Sequence, residues 1–397
     1  MPVAPIEPDA KSSRALTAAA HAAFVPVGIA TVLLGPLLPE LSVRWSLNYM
    51  QAGSLFTAQY LTSTFGVAAS GFLVSRWGFR FAMNAGLLAM AVGVGGLAWA
   101  SHFWGVACIA LYGVGMGLCV PAANLLVAEV NPARRSAALN LVNFSWSVGA
   151  VACPFLVAAA SRRHRTALFL EGVSLLFFLV VVGISAMPSS IVEPLHKTGA
   201  ENGAGWAIRR NQRSLLLLAA LFFLYVGTEN AFGGWTASYA ESLPDISANW
   251  SVMTPSFFYF ALLLGRWAAP FVLRFTNDVA LARGGLLLAS AGMAGLILSH
   301  RLPGVAGAAA LAGLGLAAVY PITISLLSRE FGAAATRVGS IMFTMANLGG
   351  ASLPWLVGFL SNRFADLRAG LAVPLAAGAL MFGLYWARWK PAAIPNS

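Results

Sequence analysis

The stretch Gly113-Val-Gly115-Met-Gly-Leu-Cys-Val-Pro121 returns 200 positions later as Gly313-Leu-Gly315-Leu-Ala-Ala-Val-Tyr-Pro321. In the same register, Gly149 and Pro154 are answered by Gly349 and Pro354. One such match means little in a chain with 40 Gly and 20 Pro, but five in register point to a duplicated unit. Both copies lie in apolar runs. A missing side chain lets helices approach closely where lipid offers no hydrophobic drive. Proline removes a backbone hydrogen bond and allows a bend. The duplicated unit therefore reads as a bundle of close-packed, bent membrane helices.

Composition agrees. Of 397 residues, 59% are hydrophobic and 9% charged, with mean hydropathy +0.77. A soluble domain carries roughly 25% charged residues, so the solvent of this chain is mostly lipid. The net charge of +11 sits in short loops, which reads as membrane topology and contact with anionic lipid rather than nucleic-acid binding. Cys108, Cys119 and Cys153 fall inside apolar runs as small hydrophobes, with no disulfide framework. No cleavable leader is expected in Met1 to Ala15; the first span serves as the signal.

Apolar runs of about 20 residues give twelve spans: 17–40, 49–74, 82–100, 104–129, 137–160, 167–187, 214–240, 251–274, 282–299, 304–328, 337–361 and 369–388. The domains expected are an N-terminal tail (1–16), a six-helix bundle (17–187), a polar linker (188–213), a second six-helix bundle (214–389) and a C-terminal tail (390–397). With both termini in the cytoplasm, sixteen Lys and Arg fall inside and seven outside, the bias expected of a multi-pass protein. Arg162, Arg163 and Arg165 run against it on the outer side. Two six-span halves repeated in parallel sense are one arrangement known for secondary transporters, with the solute held between the halves near mid-membrane.

The loop after the second span reads Gly71-Phe-Leu-Val-Ser75-Arg76-Trp-Gly78-Phe-Arg80. It resembles the signature of the major facilitator superfamily, Gly-x-x-x-Asp-Arg-x-Gly-Arg-Arg, with Ser75 in place of the Asp and Phe81 in place of the last Arg. The resemblance implies a latch at the inner gate, with Glu129 as the partner of Arg76. Three further segments are similar to the fucose and glucose/mannose proton-symporter branch. They are Tyr225-Val-Gly227-Thr-Glu229-Asn230-Ala-Phe-Gly233-Gly234-Trp235, Asn347-Leu-Gly349-Gly350-Ala-Ser-Leu-Pro354-Trp355 and Gly35-Pro-Leu-Leu-Pro39. Relatives that take fucose carry an acid deep in the first span. Here the only acid of that span is Glu40, at its outer end.

Charges inside a span are costly and mark function by default. Two lie well inside: Glu229 in span 7 and Arg266 in span 8. Glu229 is the candidate proton carrier, or an acceptor for solute hydroxyls. Alternatively the two form a fixed structural ion pair, the leading reading for Arg266. Polar and aromatic residues in other spans are candidates to bind solute: Gln59, Tyr60, Asn124, Asn140, Asn143, Trp146, Tyr225, Asn230, Trp235, Tyr320 and Asn347. A pyranose has polar edges and an apolar face, which amides and flat rings match. The competing reading is hydrogen bonding between helices.

No Gly-x-x-x-x-Gly-Lys-Ser/Thr loop occurs, so ATP-driven pumping is not expected. The histidines lack ligand spacing; neither a metal nor another cofactor is expected. The expectation is a monomeric transporter of a bacterial-type inner membrane, taking up a monosaccharide with protons by alternating access. Two alternatives stand beside it: a proton-driven exporter of drugs, metabolites or lipids, and a non-transporting receptor or membrane enzyme. No sensor domain or nucleophile–base pair favours the last.

Overall fold

The computed structural model describes residues 10–131, 135–187, 211–331 and 335–388. Among them the chain is helical, without strands: α1 (Ala10–Val32), α2 (Leu34–Arg44), α3 (Tyr49–Leu97), α4 (His102–Val130), α5 (Arg135–Arg162), α6 (Thr166–Ala186), α7 (Gln212–Glu241), α8 (Ala248–Val272), α9 (Asp278–Leu298), α10 (Leu302–Leu316), α11 (Val319–Phe331), α12 (Ala335–Phe364) and α13 (Leu367–Arg388). Most of the expected linker 188–213, all of the expected tail 390–397 and residues 1–9 of the expected N-terminal tail lie outside the described residues. Helix α1 begins within that N-terminal stretch.

Ten helical segments among the described residues are long and apolar enough to cross a membrane. One of them, α3, has 49 residues. Straight, it would run about 70 Å, more than twice a hydrocarbon core of about 30 Å. It turns back at Gly78, whose φ of 83° suits a residue without Cβ. The two arms run antiparallel on α4: Gly66 of the first arm packs at Val114 and Gly117, while Gly86 and then Gly93 of the second pack at Cys119 and then Cys108. Glycine in the loop signature is thus the turn itself. Helix α8, with Arg266 and two prolines, completes twelve passes.

Two expected spans are each broken in the middle by proline. Pro36 has no N–H for the Val32 carbonyl, and Pro321 none for that of Ala317. The turn before each tightens, with Leu33 N–H on the Ala30 carbonyl and Ala317 N–H on that of Leu314, both at 3.4 Å. The breaks separate α1 from α2 and α10 from α11.

The duplication is visible as matching contacts. A Cβ on Gly113 would meet the Gln59 carbonyl oxygen at 2.3 Å, and one on Gly313 that of Phe258 at 2.1 Å. Gly149 lies equally close to Val25, and Gly349 to Phe223. The first pair joins the second and fourth spans of each half; the other joins the first and fifth. The register of glycines therefore records two bundles packed alike. In the second half Arg329 pairs with Asp278 at 2.7 Å.

The halves meet through α2 on α7, α3 on α12 and α5 on α8. At the end away from the termini the backbones nearly touch. A Cβ on Gly35 would lie 3.0 Å from the Gly233 oxygen, and one on Gly53 3.0 Å from Trp355 Cα. There Arg162 donates to the side-chain amide oxygen of Asn249, and Thr57 to the Ala351 carbonyl at 2.8 Å. From this end the joining contacts reach down to mid-bundle, where Asn347 Nδ2 donates to Ser63 Oγ at 3.4 Å.

Candidate functional site

At mid-bundle the polar groups of both halves converge. Glu229 rides on α7 and is 9% exposed. Its Oε1 lies 3.8 Å from an Arg266 terminal nitrogen on α8, an ion pair just beyond hydrogen-bond range. The same nitrogen donates to the Tyr225 hydroxyl at 3.4 Å, one turn before Glu229 on α7. Arg266 Nε is buried, with no acceptor among the described residues. The pair joins the two readings of these residues: they do meet, and the contact is loose.

Two contacts carry this cluster across to the other half. The Tyr60 hydroxyl of α3 donates to Asn230 Oδ1, whose amide nitrogen donates back to the Val226 carbonyl at 2.8 Å. The Arg266 guanidinium lies 5.9 Å from the centre of the Trp146 ring on α5, within cation–π range. Trp146 is held in turn, its indole N–H on Thr31 Oγ1 at 3.2 Å, and Gln59 Nε2 donates to the Thr31 carbonyl, also at 3.2 Å. Gln59 Oε1 is buried and has no partner among the described residues. Tyr320 stacks on Tyr225 with centroids 5.3 Å apart, which extends the cluster to α11.

Of the expected site residues, Tyr60, Trp146, Tyr225, Glu229, Asn230, Arg266 and Tyr320 form one connected group, with Gln59 tied to it through Thr31. Asn347 borders it at the seam between the halves. Asn143 is exposed and spends its amide on the Leu139 carbonyl of its own helix at 2.8 Å. Asn124 keeps a buried Oδ1 with no partner among the described residues, so that oxygen is not hydrogen-bonded to the group. The Asn140 side chain lies outside the described residues. Trp235 is fully buried and donates to the Pro354 carbonyl at 2.9 Å, with Phe56 and Tyr49 against its ring. It seals α7 to α12 rather than facing a space where solute can sit.

Sequence reading missed Thr31 and Tyr112. Thr31 is a lone hydroxyl in an apolar run, and only its place opposite Trp146 gives it meaning. Tyr112 is fully buried with a hydroxyl lacking a partner among the described residues; a Tyr among glycines in span 4 was the available signal. In the loop signature, Gly71 faces open space and Gly78 makes the turn. Ser75 Oγ donates to the Phe72 carbonyl at 2.9 Å. Arg76 lies over the Trp77 ring, Arg80 donates to the Ser185 carbonyl, and Glu129 is exposed near the end of α4.

Twelve membrane passes in two like halves, with ionisable and hydrogen-bonding side chains meeting where the halves meet, define a membrane transporter. The profile of the Major Facilitator Superfamily matches residues 20–354, and the chain belongs to that family. Human sodium-dependent glucose transporter 1 is 21% identical over 416 residues, spanning 94% of this chain and 79% of the relative. Among solved structures, the nucleoside transporter NupG superposes with TM-score 0.77 at 13% identity over 96% of this chain and 100% of that one. The E. coli fucose:proton symporter FucP superposes with TM-score 0.66 at 18% identity over 94% and 98%. These structural likenesses show the fold.

Proposed function

We propose that this transporter takes up a monosaccharide by alternating access, driven by protons. One observation carries the reading: the Glu229–Arg266–Tyr225 cluster is tied to the opposite half by Tyr60–Asn230 and Arg266–Trp146. A change in the protonation of Glu229 therefore acts on the contacts that hold the halves together. Such a link is what coupling requires, since an ion can drive a conformational change only through contacts that differ between the two states. With the termini in the cytoplasm, as the Lys and Arg bias favours, the closed end faces outward. The amides and rings about the cluster suit a pyranose. The named activities of the glucose-transporting relative and of the fucose symporter point to the same solute class.

The name of the glucose-transporting relative favours a second reading, with sodium as the coupling ion. The geometry favours the proton. Glu229 already faces a guanidinium, so the pair has no net negative charge to hold a metal cation, whereas a carboxylate can take a proton. The test is uptake into proteoliposomes of a panel of radiolabelled hexoses and hexose acids under an imposed pH gradient, a sodium gradient, or neither. Accumulation under the pH gradient alone supports the proposal, and accumulation only with sodium replaces the ion. If nothing in the panel accumulates or protects the protein against thermal unfolding, the monosaccharide reading fails and the exporter alternative takes its place.

A further inference from the structure

The electrical balance of the mid-bundle cluster restricts what can occupy it. The titratable groups near Glu229 are Tyr225 on its own helix, Arg266 and Tyr259 on α8, Tyr320 on α11 and Tyr60 on α3. The phenols are neutral. Among the described residues of this cluster, Glu229 is thus the one anion and Arg266 the one cation. When a proton joins Glu229, Arg266 keeps a phenol oxygen at 3.4 Å and a ring face at 5.9 Å, neither of which carries a negative charge. A charge left uncompensated inside a membrane bundle is costly. The hydroxyls of a neutral sugar bring dipoles, not a countercharge. A solute carboxylate restores the balance and matches the planar fork of a guanidinium. The donors for it are at hand: the nitrogen facing Glu229 holds its two partners loosely, the carboxylate at 3.8 Å and the Tyr225 hydroxyl at 3.4 Å, and Nε is buried with no acceptor among the described residues. Trp146, beside the guanidinium, offers a flat face to the rest of the molecule.

We propose that the solute is a sugar acid, a hexuronate or aldonate, whose carboxylate replaces that of Glu229 at Arg266 as Glu229 takes up one proton. This rests on the monosaccharide reading above and narrows it. One proton and one monoanion move together, so each cycle carries no net charge. On release, the solute leaves as its anion and the proton leaves Glu229, which closes again on Arg266.

The test uses the unmodified protein in proteoliposomes, with D-glucuronate and D-glucose as probes. D-glucuronate is expected to accumulate several-fold under an inward proton gradient, at a rate unchanged by an imposed potassium diffusion potential. A hundred-fold excess of D-glucose is expected not to compete. In detergent, D-glucuronate binding is expected to take up close to one proton, read by calorimetry in buffers of different ionisation enthalpy. If D-glucose accumulates and the acid does not, or if both do, or if uptake is speeded by an inside-negative potential, the anion proposal is overturned while the monosaccharide reading stands. If neither probe accumulates or shifts the melting temperature, the anion proposal falls, and the monosaccharide reading is decided separately by the hexose panel.

Discussion

Replacing Glu229 by Gln leaves the shape of the site nearly intact and removes the negative partner 3.8 Å from the Arg266 guanidinium. Two unit charges at about that distance attract by about 4 kcal/mol at an effective dielectric constant of about 20. Removing one member of a buried pair typically costs about 3–5 kcal/mol, because the other charge stays behind unpaired. Arg266 retains the Tyr225 hydroxyl and the Trp146 ring, and its side chain is 22% exposed, which places the expected loss near the lower limit, about 3 kcal/mol. For a domain of 150–250 residues 1 kcal/mol shifts Tm by about 2–4 °C. For a chain about twice that length the expected fall is roughly 3–6 °C. Adding Arg266→Met removes the stranded charge, so the double variant should regain most of the loss, since replacing both members of a buried pair is often close to neutral. The assay is thermal unfolding in detergent for the wild type, both single variants and the double variant, analysed as a cycle. A Glu229→Gln protein as stable as the wild type would refute the reasoning. So would a double variant that loses the full sum of the two single losses, for the two side chains would then act independently.

Three further outcomes are expected. Tyr60→Phe removes the donor to Asn230 across the seam, a bond worth about 0.6–1.7 kcal/mol inside a membrane protein; spin-label distances between α3 and α7 at the end away from the termini should show the opened population rising about three- to eighteen-fold, and no change would leave the bond without a role in gating. Gly349→Val puts a branched side chain where even a Cβ would lie 1.9 Å from the Phe223 oxygen. Forcing α7 and α12 apart should cost at least about 1–3 kcal/mol, with a matching loss for Gly149→Val against Val25, both read as lower yields of monodisperse protein and lower Tm. Trp235→Phe loses the bond to the Pro354 carbonyl, about 1 kcal/mol, and should lower Tm while leaving KM for the transported solute within about twofold of the wild type; a large rise in KM would return Trp235 to the solute site.

Much of the architecture was legible because lipid imposes a simple rule: each pass must satisfy its own backbone, so each pass shows as an apolar run. The twelve runs and the 200-residue register follow from that, and the glycines that mark the register prove to be points where one helix lies on another's carbonyl. The breaks were less legible. Pro36 and Pro321 were present in the sequence, but that they would split two spans into α1–α2 and α10–α11 depends on how the neighbouring turns tighten. Rotation about the helix axis was not legible at all. Trp146 and Trp235 look alike as aromatic residues within spans. One lies beneath a guanidinium at the seam, and the other is fully buried and locked to a backbone carbonyl. In a span apolar on every side, no polar face reveals the direction in which a side chain points.

The sequence by itself determined that this chain is a duplicated bundle of membrane helices, and that Glu229 and Arg266 are the charges buried within it. Hydrocarbon thickness and the cost of desolvating a charge act on each residue alone, so they can be read along a line. Only the tertiary structure decided that the two charges face each other at 3.8 Å, that Tyr60 and Trp146 of the other half reach them, and that Thr31 holds Trp146 in place. Those contacts join residues far apart in the chain, and they depend on the rotation and bend of each helix, which packing sets and no local pattern encodes.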